Sequence, residues 1–205
     1  MVTIKPGNRN LVDPGGLAAQ VTRLVGGPDC HWLTPAVEMA MLAGGDWPLY
    51  PESRPFRWTC YPGIAAPGPG VDASRVHVAR DFTIATLRRW GVAERCEDIA
   101  VVVSELLTNA LRHALPTAGG GTRTGWPVQL GLLQPGNCVV CAVADPSRAA
   151  PAPRRPEYFS ETGRGLKVIA ALSDRWGYTV PTDMGKVSWA MFVTRLAPPH
   201  PSLRR

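Results

Sequence analysis

The stretch from residue 101 to residue 114, VVVSELLTNALRHA, constrains the fold of this chain more than any other. Its apolar residues recur at helical spacing and form one stripe, which comprises Val102, Val103, Leu106, Ala110 and Leu111. Glu105, Asn109 and His113 are each four residues apart, so they follow one flank of the predicted helix. Asparagine is disfavoured inside a helix because its amide competes with the backbone for hydrogen bonds. A divalent cation with phosphate oxygens would compensate, with the Asn109 carbonyl on the metal and the Glu105 carboxylate on a water or hydroxyl.

The same polar flank is also typical of the solvated face of an amphipathic helix, which needs no ligand. Taken alone, the three residues favour that simpler interpretation because short polar stripes are common. Three groups of downstream residues favour a ligand site over a merely solvated helix face. Asp145 closes an apolar run, Gly163-Arg-Gly-Leu166 opens a helical pattern, and Gly185-Lys-Val-Ser-Trp189 begins a late strand. Glycines at a helix start let a phosphate approach the backbone, and the first-turn N–H groups favour anions.

In this order, the four groups of residues resemble the N, G1 and G2 boxes and the closing strand of the GHKL ATP-binding fold. The resemblance covers about residues 55 to 196 and is strongest to the small bacterial anti-sigma-factor serine kinases and their orphan relatives. It implies an α/β (α+β) two-layer sandwich of the GHKL, or Bergerat, type. A mixed, mostly antiparallel sheet of about five strands would carry three main helices on one face.

The resemblance also implies ATP and Mg²⁺ as cofactors and assigns roles to individual residues. Asn109 would bind Mg²⁺, Glu105 would be the general base, and Asp145 would accept a hydrogen bond from the exocyclic amine of adenine. The other residues expected to bind the nucleotide are His113, Gly163, Arg164, Gly165, Leu166 and Ser188.

Two positions depart from the family pattern. Pro146-Ser147 follows Asp145 where the broader family has a D-x-G glycine, and Val187 stands where the family often has a threonine that assists adenine recognition. Ser188 is its neighbour, but a shift of one residue turns a strand side chain to the other face. Either a bulge restores the hydroxyl through Ser188, or that contact is missing.

The implied function is that of an ATP-binding regulatory protein. The first hypothesis is a serine/threonine protein kinase of the anti-sigma-factor type, which phosphorylates an antagonist protein. The alternative is a catalytically weak or inactive ATP-binding module for protein interaction in transcriptional or signalling control. The expected partners are a sigma factor, an anti-sigma-factor antagonist protein or both, and a homodimer is possible.

Hydrophobic periodicity predicts the remaining elements. A first strand is expected at 56–60, a helix from Val76 to Trp90 that Gly91 ends, and hairpins formed by 127–133 with 138–144 and by 175–180 with 186–196. The chain of 205 residues divides into a Gly/Pro-rich N-terminal extension (1–53), the ATP-binding domain (54–197) and a basic tail (198–205). The extension includes a short predicted helix at 34–42, and the Pro-rich segment 147–162 is predicted to be a lid over the nucleotide.

Charge, hydropathy and cysteine content indicate which partners and which cellular location to expect. The net charge of +6 permits acidic partners, but no basic stripe is interleaved with aromatic residues, so direct nucleic-acid binding is not expected. No apolar run approaches the roughly 20 residues that cross a bilayer. The odd number of cysteines, five, and the lack of a secretion signal predict free thiols and a cytoplasmic location. Cys138 and Cys141 lie three apart in a strand, so they are predicted to pack on opposite faces.

Overall fold

Three helices cover one face of an antiparallel sheet in the computed structural model, which describes residues 2–3, 31–33, 57–64, 73–113, 128–149, 164–180 and 185–194. The helices are α1 (Ala73–Arg89), α2 (Cys96–His113) and α3 (Gly165–Leu172). The strands are β1 (Val2–Thr3), β2 (Arg57–Ile64), β3 (Val128–Gln134), β4 (Cys138–Asp145), β5 (Arg175–Thr179) and β6 (Lys186–Val193). Their order is β1-β5-β6-β4-β3-β2. The predicted fold class is confirmed, with the difference that every described strand pairing is antiparallel.

The core between helices and sheet follows the apolar stripes of the sequence. All five members of the predicted α2 stripe are buried, as are Ala79, Thr83 and Leu87 on α1. Thr83 places a hydroxyl in the apolar core. This hydroxyl is not left unpaired, because it donates a hydrogen bond to the carbonyl oxygen of Ala79 at 2.8 Å. Burial of these stripes, rather than helix propensity, is what holds α1 and α2 in place.

The central strand β4 is buried along its whole length. Val139, Cys141 and Val143 belong to the core under the helices, so the residues between them face the opposite side of the sheet. Cys138 and Cys141 are both free thiols, as predicted, and burial raises their pKa values to about 11 and about 12. Both therefore stay protonated at neutral pH and act as packing residues.

Cys60 on β2 is disulfide-bonded, so the expectation of five free thiols is wrong for this residue. Cys60 pairs across the ladder with Gly131 of β3, whose side-chain position points away from the helices. A disulfide bond requires two cysteines to be close together in the fold, and residue spacing in the sequence does not give that distance.

The N-terminal region contributes two contacts that its sequence does not predict. Val2 and Thr3 pair with Gly177 and Trp176 and form the sixth strand of the sheet. The second contact comes from Leu33 in the short 3-10 turn His31–Leu33, whose side chain packs directly on Gly131. A Cβ atom on Gly131 would be only 2.7 Å from Cδ1 of Leu33, so only a glycine fits there. Leu33 thus buries part of the sheet face that carries no helix.

Arg95, just before α2, connects three elements at one end of the sheet. Its guanidinium donates to Asp174 at 2.6 Å and to the carbonyl oxygen of Leu172, and it lies 5.1 Å from the centre of the Phe192 ring. Asp174 in turn accepts the backbone N–H of Val193 at 2.7 Å. These contacts fix the end of α3 against the start of α2.

Several predictions lie outside the described residues, namely the helix at 34–42, most of the lid at 147–162 and the tail at 198–205. The predicted domain boundaries remain predictions. Within the described ranges, none of the helices combines the length and the hydropathy of a bilayer-spanning segment.

Candidate functional site

The first residue of α3 lies directly against the polar flank of α2. A Cβ atom on Gly165 would be 2.6 Å from Oε2 of Glu105, 3.5 Å from Nδ2 of Asn109 and 3.6 Å from its Oδ1. Only the absence of a side chain at Gly165 allows this approach. Residues that are far apart in the sequence are therefore neighbours in the fold, as expected for parts of one site.

Both side chains on the α2 flank lie beside the start of α3. Glu105 and Asn109 are half-buried, and within the described part of the chain neither side chain has a hydrogen-bond partner. Arg164 is exposed at the N-cap position of α3, and because its guanidinium has no acceptor it provides no side-chain cap for the first N–H groups of the helix. A carboxylate, an amide oxygen and a helix N-terminus thus meet at one place, which suits a cation together with an anion.

A second polar cluster lies where β4 ends and β6 begins. Asp145 and Lys186 are directly opposite each other in the ladder and are only 1% and 5% exposed. Nζ of Lys186 is 3.3 Å from Oδ2 of Asp145 and donates to the carbonyl oxygen of Ala149 at 3.1 Å. Oδ1 of Asp145 accepts the backbone N–H of Ser147 at 2.9 Å. Burial raises the pKa of Asp145, and the Lys186 ammonium and the Ser147 N–H oppose that rise.

Sequence reasoning did not single out Lys186. The strand register, which the sequence does not give, puts this lysine opposite Asp145. The sequence signal that could have found it is the motif Gly185-Lys-Val-Ser-Trp189, in which the lysine was given no role.

Ser188 faces the same side of the sheet as Asp145, and no bulge is required. The β4–β6 register runs without interruption from Asp145 opposite Lys186 to Cys138 opposite Val193. Ala190 and Phe192 belong to the core under the helices, so Lys186 and Ser188 share their face while Val187 points to the other one. The hydroxyl is on the helix side without the bulge that the first alternative required, and its contact with adenine stays a prediction.

The glycine that is missing after Asp145 leaves no backbone conflict. No described residue other than glycine has a positive φ, so Ser147 adopts an ordinary backbone conformation. Its N–H forms a turn with the Asp145 side chain, an arrangement that aspartate favours at strand ends.

The structure describes the remaining candidate residues to different extents. His113 is the last residue of α2, but its side chain is not among the described groups, and Gly163 lies outside the described residues. Leu166 is half-buried and packs against the core under the helices. Arg164 is exposed beside the start of α3.

An antiparallel sheet with helices on one face, a polar helix flank and a glycine-opened helix against that flank define a nucleotide-binding class of domain. The chain belongs to the histidine kinase-like ATPase domain family, whose model matches residues 71–190. This span runs from the start of α1 into β6 and includes both polar clusters. Comparison with curated proteins finds no match to this chain. Membership of the family supports an ATP-binding regulatory function.

Replacing Gly165 by alanine is expected to weaken binding of Mg-ATP at least tenfold without unfolding the protein. The new Cβ would displace the Glu105 carboxylate, which is the far end of a flexible side chain and can move. Alanine also favours a helix over glycine by up to about 1 kcal/mol, so the melting temperature of the free protein should hold or rise. Isothermal calorimetry and thermal denaturation measure the two effects.

Ala171→Gly on the exposed side of the same helix is the control for helix propensity. It should lower the melting temperature and leave Mg-ATP binding unchanged. Unchanged Mg-ATP binding by Gly165→Ala would contradict a role for this close approach.

Proposed function

We propose that this protein is an ATP-dependent serine/threonine protein kinase of the anti-sigma-factor type, which phosphorylates a serine of an antagonist protein. The observation that carries the proposal is the direct approach of Gly165 to Glu105 and Asn109. A kinase needs a proton acceptor next to the phosphates, and this approach brings a carboxylate to a helix N-terminus suited to them.

The nucleotide would lie on the helix-covered side of the sheet. Asp145 would accept the exocyclic amine of adenine, with the Ser188 hydroxyl on the same face of the sheet. Gly163, Arg164 and Gly165 would hold phosphates at the start of α3, where backbone N–H groups and the helix dipole favour anions. His113 would contribute to nucleotide binding, and Leu166 would support the phosphate-binding turn from the core side.

Asn109 would hold Mg²⁺ through its carbonyl oxygen. Among the described residues, no group of three His, Cys, Asp or Glu side chains could form a cage for a metal ion. This agrees with a magnesium ion that takes one or two protein ligands and completes its shell with phosphate oxygens and water. The bound ion would neutralise charge on the phosphates.

Glu105 would orient the serine hydroxyl of the antagonist protein and accept its proton. It is half-buried, and in the described part of the chain no cation or hydrogen-bond donor engages it. Positioning and charge neutralisation supply most of the catalysis in phosphoryl transfer, so a single carboxylate with a well-held nucleotide suffices. The partner would be a small antagonist protein, with a sigma factor as the regulated component.

Mg-ATP is expected to raise the melting temperature of the wild-type protein by about 5 to 10 °C when present at 100 times its dissociation constant. Asn109→Ala should remove most of this shift, while its melting temperature without nucleotide holds or rises because alanine favours the helix interior. Differential scanning fluorimetry with and without Mg²⁺ measures both quantities.

Asn137→Ala, at the turn between β3 and β4 and at the far end of β4 from Asp145, is the matched control and should keep the full shift. Equal melting temperatures with and without Mg-ATP in the wild type would exclude ATP binding and the proposal with it. A normal shift without phosphate transfer to any co-purified protein would instead favour the ATP-loaded interaction module.

A further inference from the structure

Lys186 is held in a single position at the Asp145 end of the sheet. Its ammonium is 3.3 Å from Oδ2 of Asp145 and 3.1 Å from the carbonyl oxygen of Ala149, and both side chains of the pair are buried. A buried ammonium must be paired, because leaving it without a partner is strongly unfavourable. The pair is therefore a fixed feature of the Asp145 end of the sheet, where the base would lie.

We propose that Lys186 is the positioning residue for base recognition, which holds the Asp145 carboxylate as a charged acceptor for the exocyclic amine of adenine. This inference rests on the proposed function because it requires ATP to bind at this site. It goes beyond that function because it assigns the choice of base to the lysine–aspartate pair rather than to Asp145 alone.

The Asp145 carboxylate retains the capacity to accept a hydrogen bond from the exocyclic amine of adenine. An ionised carboxylate offers about four acceptor positions, and the described residues use one on each oxygen, from Ser147 at 2.9 Å and from Lys186 at 3.3 Å. Both partners are hydrogen-bond donors, so they fix the orientation of the carboxylate without competing for the amine hydrogen. An amine N–H is the complementary group for the positions that remain.

Removal of the lysine would change the kind of hydrogen bond that Asp145 makes. Burial raises the pKa of Asp145, and Lys186 is the largest opposing influence. Without that cation, the buried carboxyl would tend to hold a proton and become a donor through its O–H group. A protonated carboxyl accepts only through its neutral carbonyl oxygen, so it favours a base that carries an amine much less strongly than a carboxylate does.

The test compares ATP with purine riboside triphosphate, which lacks only the exocyclic amine, by calorimetry in the presence of Mg²⁺. The wild type is expected to bind ATP about 100-fold more tightly, as appropriate for a hydrogen bond to a charged group. Lys186→Met should lose this preference almost entirely by weakening ATP binding, with little change for the analogue. Arg89→Met, an exposed residue at the end of α1, should keep the preference.

The outcomes separate this inference from the proposed function. Equal weakening of both nucleotides in Lys186→Met would assign the lysine a purely structural role and overturn the inference. A wild type that binds both nucleotides equally would also overturn it, while ATP binding itself would stand. A wild type that binds neither nucleotide would overturn the proposed function as well.

Lys186→Gln keeps the experiment decisive if the methionine variant does not fold. Glutamine can donate to the same two oxygens but carries no charge. Loss of the ATP preference in this variant would support the inference, and retention of the wild-type preference would refute it.

Discussion

Replacing Glu105 by glutamine is expected to slow phosphate transfer from ATP to the serine of the partner protein by about 100- to 10,000-fold, the usual contribution of a general base. Glutamine has the same shape as glutamate, so the packing against Gly165 should be preserved. Its amide does not accept the proton of an incoming hydroxyl. Binding of Mg-ATP should therefore change little while the transfer rate falls. The measurement is the initial rate of ³²P transfer from γ-labelled ATP to a protein that co-purifies with this one.

Glu94→Gln provides a matched control, because Glu94 is exposed in the segment before α2. This variant should transfer phosphate at the wild-type rate. A Glu105→Gln variant with undiminished transfer would show that another group accepts the proton, and the proposed mechanism would then fail at its central step.

Replacing Gly185 by alanine is expected to destabilise the free protein by about 2 to 5 kcal/mol. Gly185 has a φ of +67°, a conformation that costs other residues about 1 to 2 kcal/mol. A Cβ there would also overlap the carbonyl oxygen of Asp145 and lie 2.8 Å from the Cα of Pro146, and overpacking typically costs about 1 to 3 kcal/mol. These atoms belong to the backbone, so the end of β4 would have to move. Equilibrium unfolding in urea measures the loss.

Gly136→Ala separates the two contributions, because Gly136 also has a positive φ, of 61°, but a Cβ there would have no neighbour within 4 Å. It should lose only the conformational part, about 1 to 2 kcal/mol. Equal losses at the two positions would mean that the close approach of Gly185 to Asp145 has no energetic cost. Because Gly185→Ala displaces Asp145, its affinity for ATP should also fall, whereas that of Gly136→Ala should not.

The helices and most strands could be predicted because each carries a local periodic signal. The stripe from Val76 to Trp90 predicted α1, and the stripe of Val102, Leu106 and Ala110 predicted α2, both of which the structure contains. The turn at Gln134-Pro-Gly-Asn137 predicted the hairpin of β3 and β4. In each case the pattern lies within one element, so one sequence is sufficient to recognise it.

The features that were missed depend on pairings between distant residues. The strand Val2–Thr3 is too short for an alternating pattern, and the contact of Leu33 with Gly131 joins segments that share no motif. The disulfide bond of Cys60 likewise depends on chain geometry rather than on residue spacing. Such contacts form because the sheet brings these segments together, and no local property of any one segment specifies them.

The sequence by itself determined the helix flank of Glu105 and Asn109, the glycine-opened start of α3 and the family to which they pointed, because side-chain periodicity and glycine positions are local properties. The tertiary structure alone decided that Gly165 lies against that flank, that Ser188 faces the helices without a bulge, and that Lys186 neutralises Asp145. The physical reason is that strand register and helix packing are fixed by the burial of the whole core. A shift of one residue would reverse the face of every side chain in β6, and only the complete fold excludes that shift.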